Sequence, residues 1–559
     1  MHGEHIPAEA EKRAIWSCYP VPLFALLLAF LLYVFFFAPV SVTLDGYTNL
    51  YTAKVLGEML SGHPEVHRSF FYNSPLLPIW IGPLLLTAIS TIVPDELALK
   101  ILIVMIGIAL LSSLYFCIDV SAYRPHERAQ VLIVLLPFAW NAFVTYGFYS
   151  FLISASLCFV VLGMVLRYGL GMSLRLQSLI ACLLLVAYFT HPLPVLISFL
   201  FPFAHFIGEA ITQGRVGWRS VTATLKRHAF ESWPWVPVAC LILRFSVQLA
   251  RAAAPQSRPA ISEYAFALTY TLKHRTIALV RDAVVSISPT PSVGTLFIAL
   301  LGILLAGLIL RPRKPVERDR RRFTSLTVLM FSTLFLYLVL PESVGEGSWI
   351  PVRFLLYASC FCALAALTGG VFDPHLLTLC SLVGGLSVAG FAGEYLIVSR
   401  LLAPAVAELR LATDIAPKHS RVLILAYQMM PTCKALPLLE RSSPQYHLAL
   451  ASALKNQLIV LNGTQAITAQ FPLRYSGTRS FPSLGDQPSL TFEEKSANWH
   501  EVLKTDPDVD FVVSWGTPNG STWCKNPVKA PFEEMLRLRH DLVFSKEGTS
   551  RVQLWQKRR

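Results

Sequence analysis

Asp45 stands immediately after the first long apolar run, in the segment Thr43-Leu44-Asp45-Gly46-Tyr47-Thr48-Asn49-Leu50-Tyr51-Thr52-Ala53. A carboxylate at a membrane surface can take a proton from an acceptor hydroxyl or amine as a general base. It can also hold a divalent cation, because hard cations prefer oxygen ligands. The structural alternative is that Asp45 caps a helix beginning near Tyr47, and spacing alone favours that cap. Further along stand His63, His67 and Arg68, then Phe71-Tyr72-Asn73-Ser74-Pro75. His63 and His67 are four apart, which is one face of a helix. Pro64 disfavours a regular helix there, so solvated loop residues are expected in preference to a metal pair.

Two further clusters combine aromatic and polar residues at the ends of apolar runs. One is Pro137-Phe138-Ala139-Trp140-Asn141, followed by Tyr146-Gly147-Phe148-Tyr149-Ser150-Phe151; the other is Tyr188-Phe189-Thr190-His191-Pro192-Leu193-Pro194. The aromatics read as interface anchors. Polar groups at such depth are costly unless paired or in a wet cavity, so Asn141 and His191 read equally as structural or functional. Arg353 opens a later apolar run after Gly345–Pro351. It can grip a lipid phosphate through paired hydrogen bonds or snorkel to the headgroups. Glu342 and Glu346 are the nearest candidates for a second acid.

The elements that carry these residues are membrane spans. The chain has 559 residues, of which 54% are hydrophobic and 14% charged, and its mean hydropathy is +0.54. A soluble chain carries about 25% charged residues. Apolar runs at about 20–42, 76–94, 98–119, 129–145, 148–167, 176–190, 193–208, 232–250, 292–310, 323–340, 354–372 and 376–398 reach or approach the ~20 residues that cross a bilayer as a helix. From about 405 the pattern changes to short β-rich runs at 421–427, 457–462, 510–515, 542–545 and 552–556, with helical stretches at 438–455 and 531–539 between them, which suggests a small α/β domain. The expected fold is an α-helical polytopic membrane protein of about 11–12 transmembrane segments with a small C-terminal α/β extracytoplasmic domain. Its expected divisions are a cytoplasmic segment 1–19, a transmembrane domain 20–400 with an outer loop 43–75, and a soluble domain 401–559.

Lys and Arg set the orientation. The basic run from Arg311 to Arg322 lies in a short loop between two good spans and belongs in the cytoplasm. Counting back puts 215–228, 167–175 and 124–128 inside, and counting forward puts 341–353 and the tail outside. Lys12 and Arg13 favour an inside N-terminus. Two full crossings at 76–94 and 98–119 would then leave Arg124 and Arg128 outside. Either one of that pair is incomplete or the N-terminus is outside; the first is preferred. The net charge of +13 reflects cytoplasmic loops, so no nucleic-acid partner is expected. Most of the ten cysteines lie in or beside apolar runs. Cys433 and Cys524 fall in the tail, where a disulfide can form outside the cytoplasm.

Taken together, these clusters resemble a bacterial branch of the GT-C glycosyltransferases. An early outer loop in that group reads Asp-Gly-Pro-x-His-Leu-Tyr-x-Ala, against Asp45-Gly46-Tyr47-Thr48-Asn49-Leu50-Tyr51-Thr52-Ala53. A later Pro-Phe-x-x-Asn and Gly-Phe-Tyr-Asn-Phe resemble Pro137–Asn141 and Gly147–Phe151, and His191-Pro192 and Arg353 find counterparts. The likeness runs over about 20–400. It implies a bacterial inner-membrane enzyme using a polyprenyl-phosphate-linked sugar, with Asp45 as catalytic base and membrane lipid as partner. The expected substrate contacts are Asn49, Tyr51, Asn73, Asn141, Tyr149, His191 and Arg353; a divalent cation is an open possibility. Three positions depart from the pattern: Tyr47 replaces a proline, Asn49 a histidine and Ser150 an asparagine. Asn49 cannot serve as a base. The alternatives are a transporter or lipid-handling protein, and a non-catalytic membrane scaffold with the tail as interaction module. Against transport stand the lack of a clear inverted repeat and of a charged chain through the spans.

Overall fold

The computed structural model describes residues 19–43, 45–212, 230–252, 261–287, 291–309, 317–341, 349–368, 374–426, 450, 452–460, 473–475, 509–515, 536–538, 540–547 and 551–558. Among these, eight helices are long and apolar enough to cross a bilayer: Pro20–Phe37, Asp95–Cys117, Tyr149–Tyr168, Pro192–Thr212, Ser292–Ile309, Arg320–Val339, Ile350–Leu367 and Pro374–Thr413. In hydrocarbon only a helix satisfies its backbone within one segment, so the chain is a polytopic helical membrane protein.

Four of the twelve expected spans are not among these eight. The run 76–94 holds only the ten-residue helix Ile81–Ser90, about 15 Å at 1.5 Å per residue; it is the incomplete member of its pair. The run 129–145 breaks after the helix Pro125–Ala139, and a four-residue helix Ala142–Thr145 follows. Asn141 sits at that break and donates to Phe138 O at 2.7 Å, covering a carbonyl that the interruption frees. The remaining two are the 17-residue helices Leu174–Thr190 and Val236–Ala252. The last span does not stop near 398. It runs on as a 40-residue helix to Thr413, about 60 Å long and twice the hydrocarbon thickness. A helix at Ile261–Ile287 has no counterpart among the expected spans.

The chain forms two compact units. One comprises residues 1–34, 104–142 and 151–393. Its helix Ile350–Leu367 packs against Glu317–Val339, Pro291–Ile309, Ile261–Ile287 and Pro125–Ala139. Every side chain from Pro351 to Leu367 is buried.

The other unit comprises 35–103, 143–150 and 394–559. It contains a short antiparallel ladder, in which β1 (Phe70–Tyr72) pairs with β4 (Leu473–Tyr475). It also contains a five-stranded mixed sheet built from β2 (Arg421–Ala426), β3 (Ile459–Val460), β5 (Phe511–Trp515), β6 (His540–Glu547) and β7 (Arg551–Lys557), in the order β3-β2-β5-β7-β6. β2 runs parallel to β3 and β5, whereas β7 runs antiparallel to β5 and β6. All five β-rich runs read from the tail become strands of this sheet. The central strand β5 is buried along its whole length, as its Phe-Val-Val-Ser-Trp run requires for a strand covered on both faces.

Candidate functional site

Asp45 precedes the helix Gly46–Leu60 and occupies its N-cap position, but its side chain does not cap the helix. The expected cap is therefore corrected. An N-cap side chain reaches the N2 or N3 amide from an extended backbone. Asp45 has φ −96° and ψ 0°, a helical setting rather than the extended one from which that reach is made. One of the two backbone bonds that fix this setting is distant in sequence. Asp45 N–H donates to Tyr146 O at 3.0 Å, and Asp45 O accepts from Asn49 N–H at 2.9 Å. Asn49 Nδ2 donates to Gly147 O at 2.8 Å.

Gly147 has φ +76°. A Cβ there would lie 2.6 Å from Gly46 N and 2.8 Å from Asp45 N, so only glycine allows the two backbones to approach this closely. Gly46 is equally confined: a Cβ would collide with the Thr43 hydroxyl and come within 2.7 Å of Tyr149 Oη. Thr43 and Tyr149 are both buried. Asp45 and Gly46 of one matching motif and Gly147 and Tyr149 of another thus meet inside one compact unit. Asp45 also stands at the N-terminus of a 15-residue helix, where the aligned peptide dipoles favour negative charge.

A second cluster lies in the other unit. His191 is the N-cap of Pro192–Ser198, and its Nδ1 accepts from Leu193 N–H at 3.2 Å. Ser154 Oγ donates to His191 O at 2.9 Å. Arg353, at 9% exposure, places Nη1 at 3.2 Å from His191 Nε2 and its guanidinium carbon 5.4 Å from the centroid of the Phe151 ring, a cation–π contact. Phe151 meets the His191 ring edge-on, with centroids 5.7 Å apart. A neutral imidazole has one donor nitrogen and one acceptor. If Nδ1 accepts from Leu193, Nε2 carries the proton and opposes an Arg353 N–H. If Nε2 accepts from Arg353, an Nδ1 proton opposes Leu193 N–H. Either tautomer sets two donors against each other. An anionic oxygen accepting from both Arg353 and the Nε2–H of His191 relieves the first conflict.

Other expected contacts are committed to the scaffold. Tyr51 Oη donates to Leu458 O at 3.0 Å and accepts from Val460 N–H at 2.8 Å, which ties the helix Gly46–Leu60 to β3. Tyr51→Phe leaves both buried backbone groups without that partner, and is expected to lower stability by about 1–3 kcal/mol. Thermal unfolding of the purified protein measures it as a lower Tm. Asn73 Oδ1 accepts from Ser74 N–H at 2.9 Å. Pro64 occupies the first turn of a six-residue helix Pro64–Ser69, where its missing N–H costs nothing; the expected loop at His63–His67 is thus partly helical. His67 Nε2 lies 2.9 Å from Met59 O. Among the described residues no three His, Cys, Asp or Glu side chains gather as a metal site. Cys433, Cys524, Glu342 and Glu346 lie outside the described residues.

Sequence reading missed a buried acid on the helix Ile261–Ile287. Asp282, 5% exposed, accepts from Tyr337 Oη at 3.0 Å and from Arg281 Nε at 3.0 Å, and pairs with Arg275 Nη1 at 3.6 Å. Arg275 and Asp282 are seven apart, two helical turns on one face. That spacing was the signal available in the sequence.

The fold is that of a polytopic helical membrane protein, with an acid held at a helix start in one unit and an arginine–histidine pair in the other. In structure the chain is similar to the crystal structure of the Archaeoglobus fulgidus oligosaccharyltransferase in the apo form, with a TM-score of 0.41 and 13% sequence identity over 89% of this chain and 69% of that one. No family model matches the sequence, and no curated protein matches it.

Proposed function

We propose that the chain is a membrane glycosyltransferase that moves a sugar from a polyprenyl-phosphate carrier to an acceptor at the outer membrane face. The observation that carries this reading is Asp45: its backbone is pinned by Tyr146 and Asn49, and its carboxylate is not used as a helix cap. In the proposed reaction the Asp45 carboxylate takes the proton of the acceptor hydroxyl or amine as that atom bonds to the anomeric carbon. The carbon–oxygen bond to the carrier breaks, and its electron pair leaves with the phosphate. In the other unit, Arg353 and a protonated Nε2 of His191 would offer two donors suited to a carrier phosphate. The tail with its five-stranded sheet would serve acceptor recognition.

The test uses the full chain in bilayer nanodiscs with radiolabelled polyprenyl-phosphate sugar. Arg353→Gln is expected to weaken retention of the lipid by about 10- to 100-fold, the worth of one hydrogen bond to a charged group. Equal retention by wild type and variant removes Arg353 from this role. A non-catalytic scaffold is the second reading. Asn49 favours it, because the residue standing where the resembling proteins have a histidine spends its amide on Gly147 O. Lipid retention with no sugar turnover under any acceptor would support that reading.

A further inference from the structure

Glu58 belongs to neither cluster described above. It lies near the C-terminal end of the helix Gly46–Leu60 and is 8% exposed. Its Oε1 is buried without a hydrogen-bond partner in the structure. The side chain lines a narrow crevice with Lys54 and Val55 of the same helix, Val66, Phe70 at the start of β1, and Leu454 and Leu458 from the stretch that enters β3. All of these belong to one compact unit. The crevice thus runs along the seam between the helix Gly46–Leu60 and the tail segment 453–459. One end of the seam is fastened by Tyr51, whose hydroxyl bridges Leu458 O and Val460 N–H. Gln457, also on the crevice, turns the tail segment with φ +53°, a setting that non-glycine residues rarely take.

A neutral carboxyl fits such a seam; an ionised one with an unpartnered oxygen does not, because burying a charge without a partner is costly. The charged groups around Glu58 do not neutralise it. Lys54, one turn earlier on the same helix, is paired with Asp95 at 3.3 Å. Asp95, at the start of the helix Asp95–Cys117, opposes ionisation, and Lys418, in the turn before β2, favours it. Burial pushes the Glu58 carboxyl up to about 7 from its ordinary 4.5, Lys54 and Lys418 pull it down, and Asp95 adds to the rise.

We propose that Glu58 is a proton-operated latch: protonated, it keeps the helix Gly46–Leu60 closed on tail segment 453–459, and ionised, it loosens that seam. The sign follows from linkage. The closed seam holds the proton more tightly than the open one, so closure is strongest below about pH 4.5 and weakens as pH rises to about 7, beyond which it is constant. A seam that opens with pH in this range couples the tail to the acidity of the compartment it faces. The latch does not depend on the glycosyltransferase reading.

The test is amide hydrogen exchange of the detergent-purified full chain at pH 6 and pH 8, read as protection factors with the intrinsic pH dependence of exchange removed. For amides 454–460 the latch predicts that protection falls about ten-fold between these pH values in the wild type. In Glu58→Gln, whose amide is neutral and nearly isosteric, the two protection factors should agree within about two-fold. Equal protection at both pH values in the wild type overturns the proposal, and so does a ten-fold fall that persists in Glu58→Gln. If Glu58→Gln does not fold, Glu58→Met supplies the same neutral comparison.

Discussion

Replacing Asp45 with Asn is expected to leave the protein folded and to lower sugar transfer by about 10²- to 10⁴-fold, the range that a positioned general base contributes. Folding should survive because two backbone bonds, Asp45 N–H to Tyr146 O and Asn49 N–H to Asp45 O, are untouched by the substitution. Asn is as good an N-cap residue as Asp, so no helix-capping energy is lost. The loss should fall on kcat, with KM nearly unchanged, since the base acts in the transition state rather than in binding. Single-turnover transfer from a radiolabelled lipid-linked sugar measures it. Transfer within about two-fold of wild type would remove Asp45 from the reaction, because it lies far below the smallest contribution expected of a base.

Gly147→Ala should be the most damaging single-methyl change near the site. Its left-handed backbone costs an alanine about 1–2 kcal/mol. The new Cβ would press on Gly46 N and Asp45 N at 2.6 and 2.8 Å, backbone atoms that cannot rotate away, and such overpacking adds about 1–3 kcal/mol. A total of roughly 2–5 kcal/mol is expected, with the Asp45 to Tyr146 hydrogen bond displaced. Gly62→Ala is the internal comparison. Gly62 also has a positive φ, +78°, but nothing lies within 4 Å of its Cβ position, so only the first cost applies, about 1–2 kcal/mol. Thermal unfolding of the two variants side by side separates backbone conformation from close approach. Equal Tm losses would mean that the contact with Asp45 is not tight in solution.

The legible parts of this chain are those with local causes. The tail's strands follow from their own β-branched and aromatic runs, and β2, β5 and β7 fall within a residue or two of the sequence reading. The eight long spans follow from uninterrupted apolar length. The helix Ile261–Ile287 was missed because Lys273, Arg275, Arg281 and Asp282 interrupt its apolar pattern, and the Tyr337 hydroxyl that completes the pairing of Asp282 comes from another helix. The cap at Asp45 was misread for a similar reason. Its backbone angles are set by Tyr146 and Gly147, which no local window contains. Arg353 and His191 were read as residues of one membrane face, but their 3.2 Å contact joins positions 162 apart, and nothing in either motif announces the other.

The burial of every residue from Pro351 to Leu367 bears on how the protein is assembled. Its main packing partners, the helices Pro125–Ala139, Ile261–Ile287, Pro291–Ile309 and Glu317–Val339, all precede it in the chain. Since synthesis runs from the N-terminus, the walls of its slot are translated before the helix itself reaches the insertion machinery. A helix with no lipid-facing stripe need not be greasy all round, which is how this one can carry Arg353. Its recruitment depends on neighbours that are already in place, so defects in those earlier helices should appear during biogenesis as failed retention of this one.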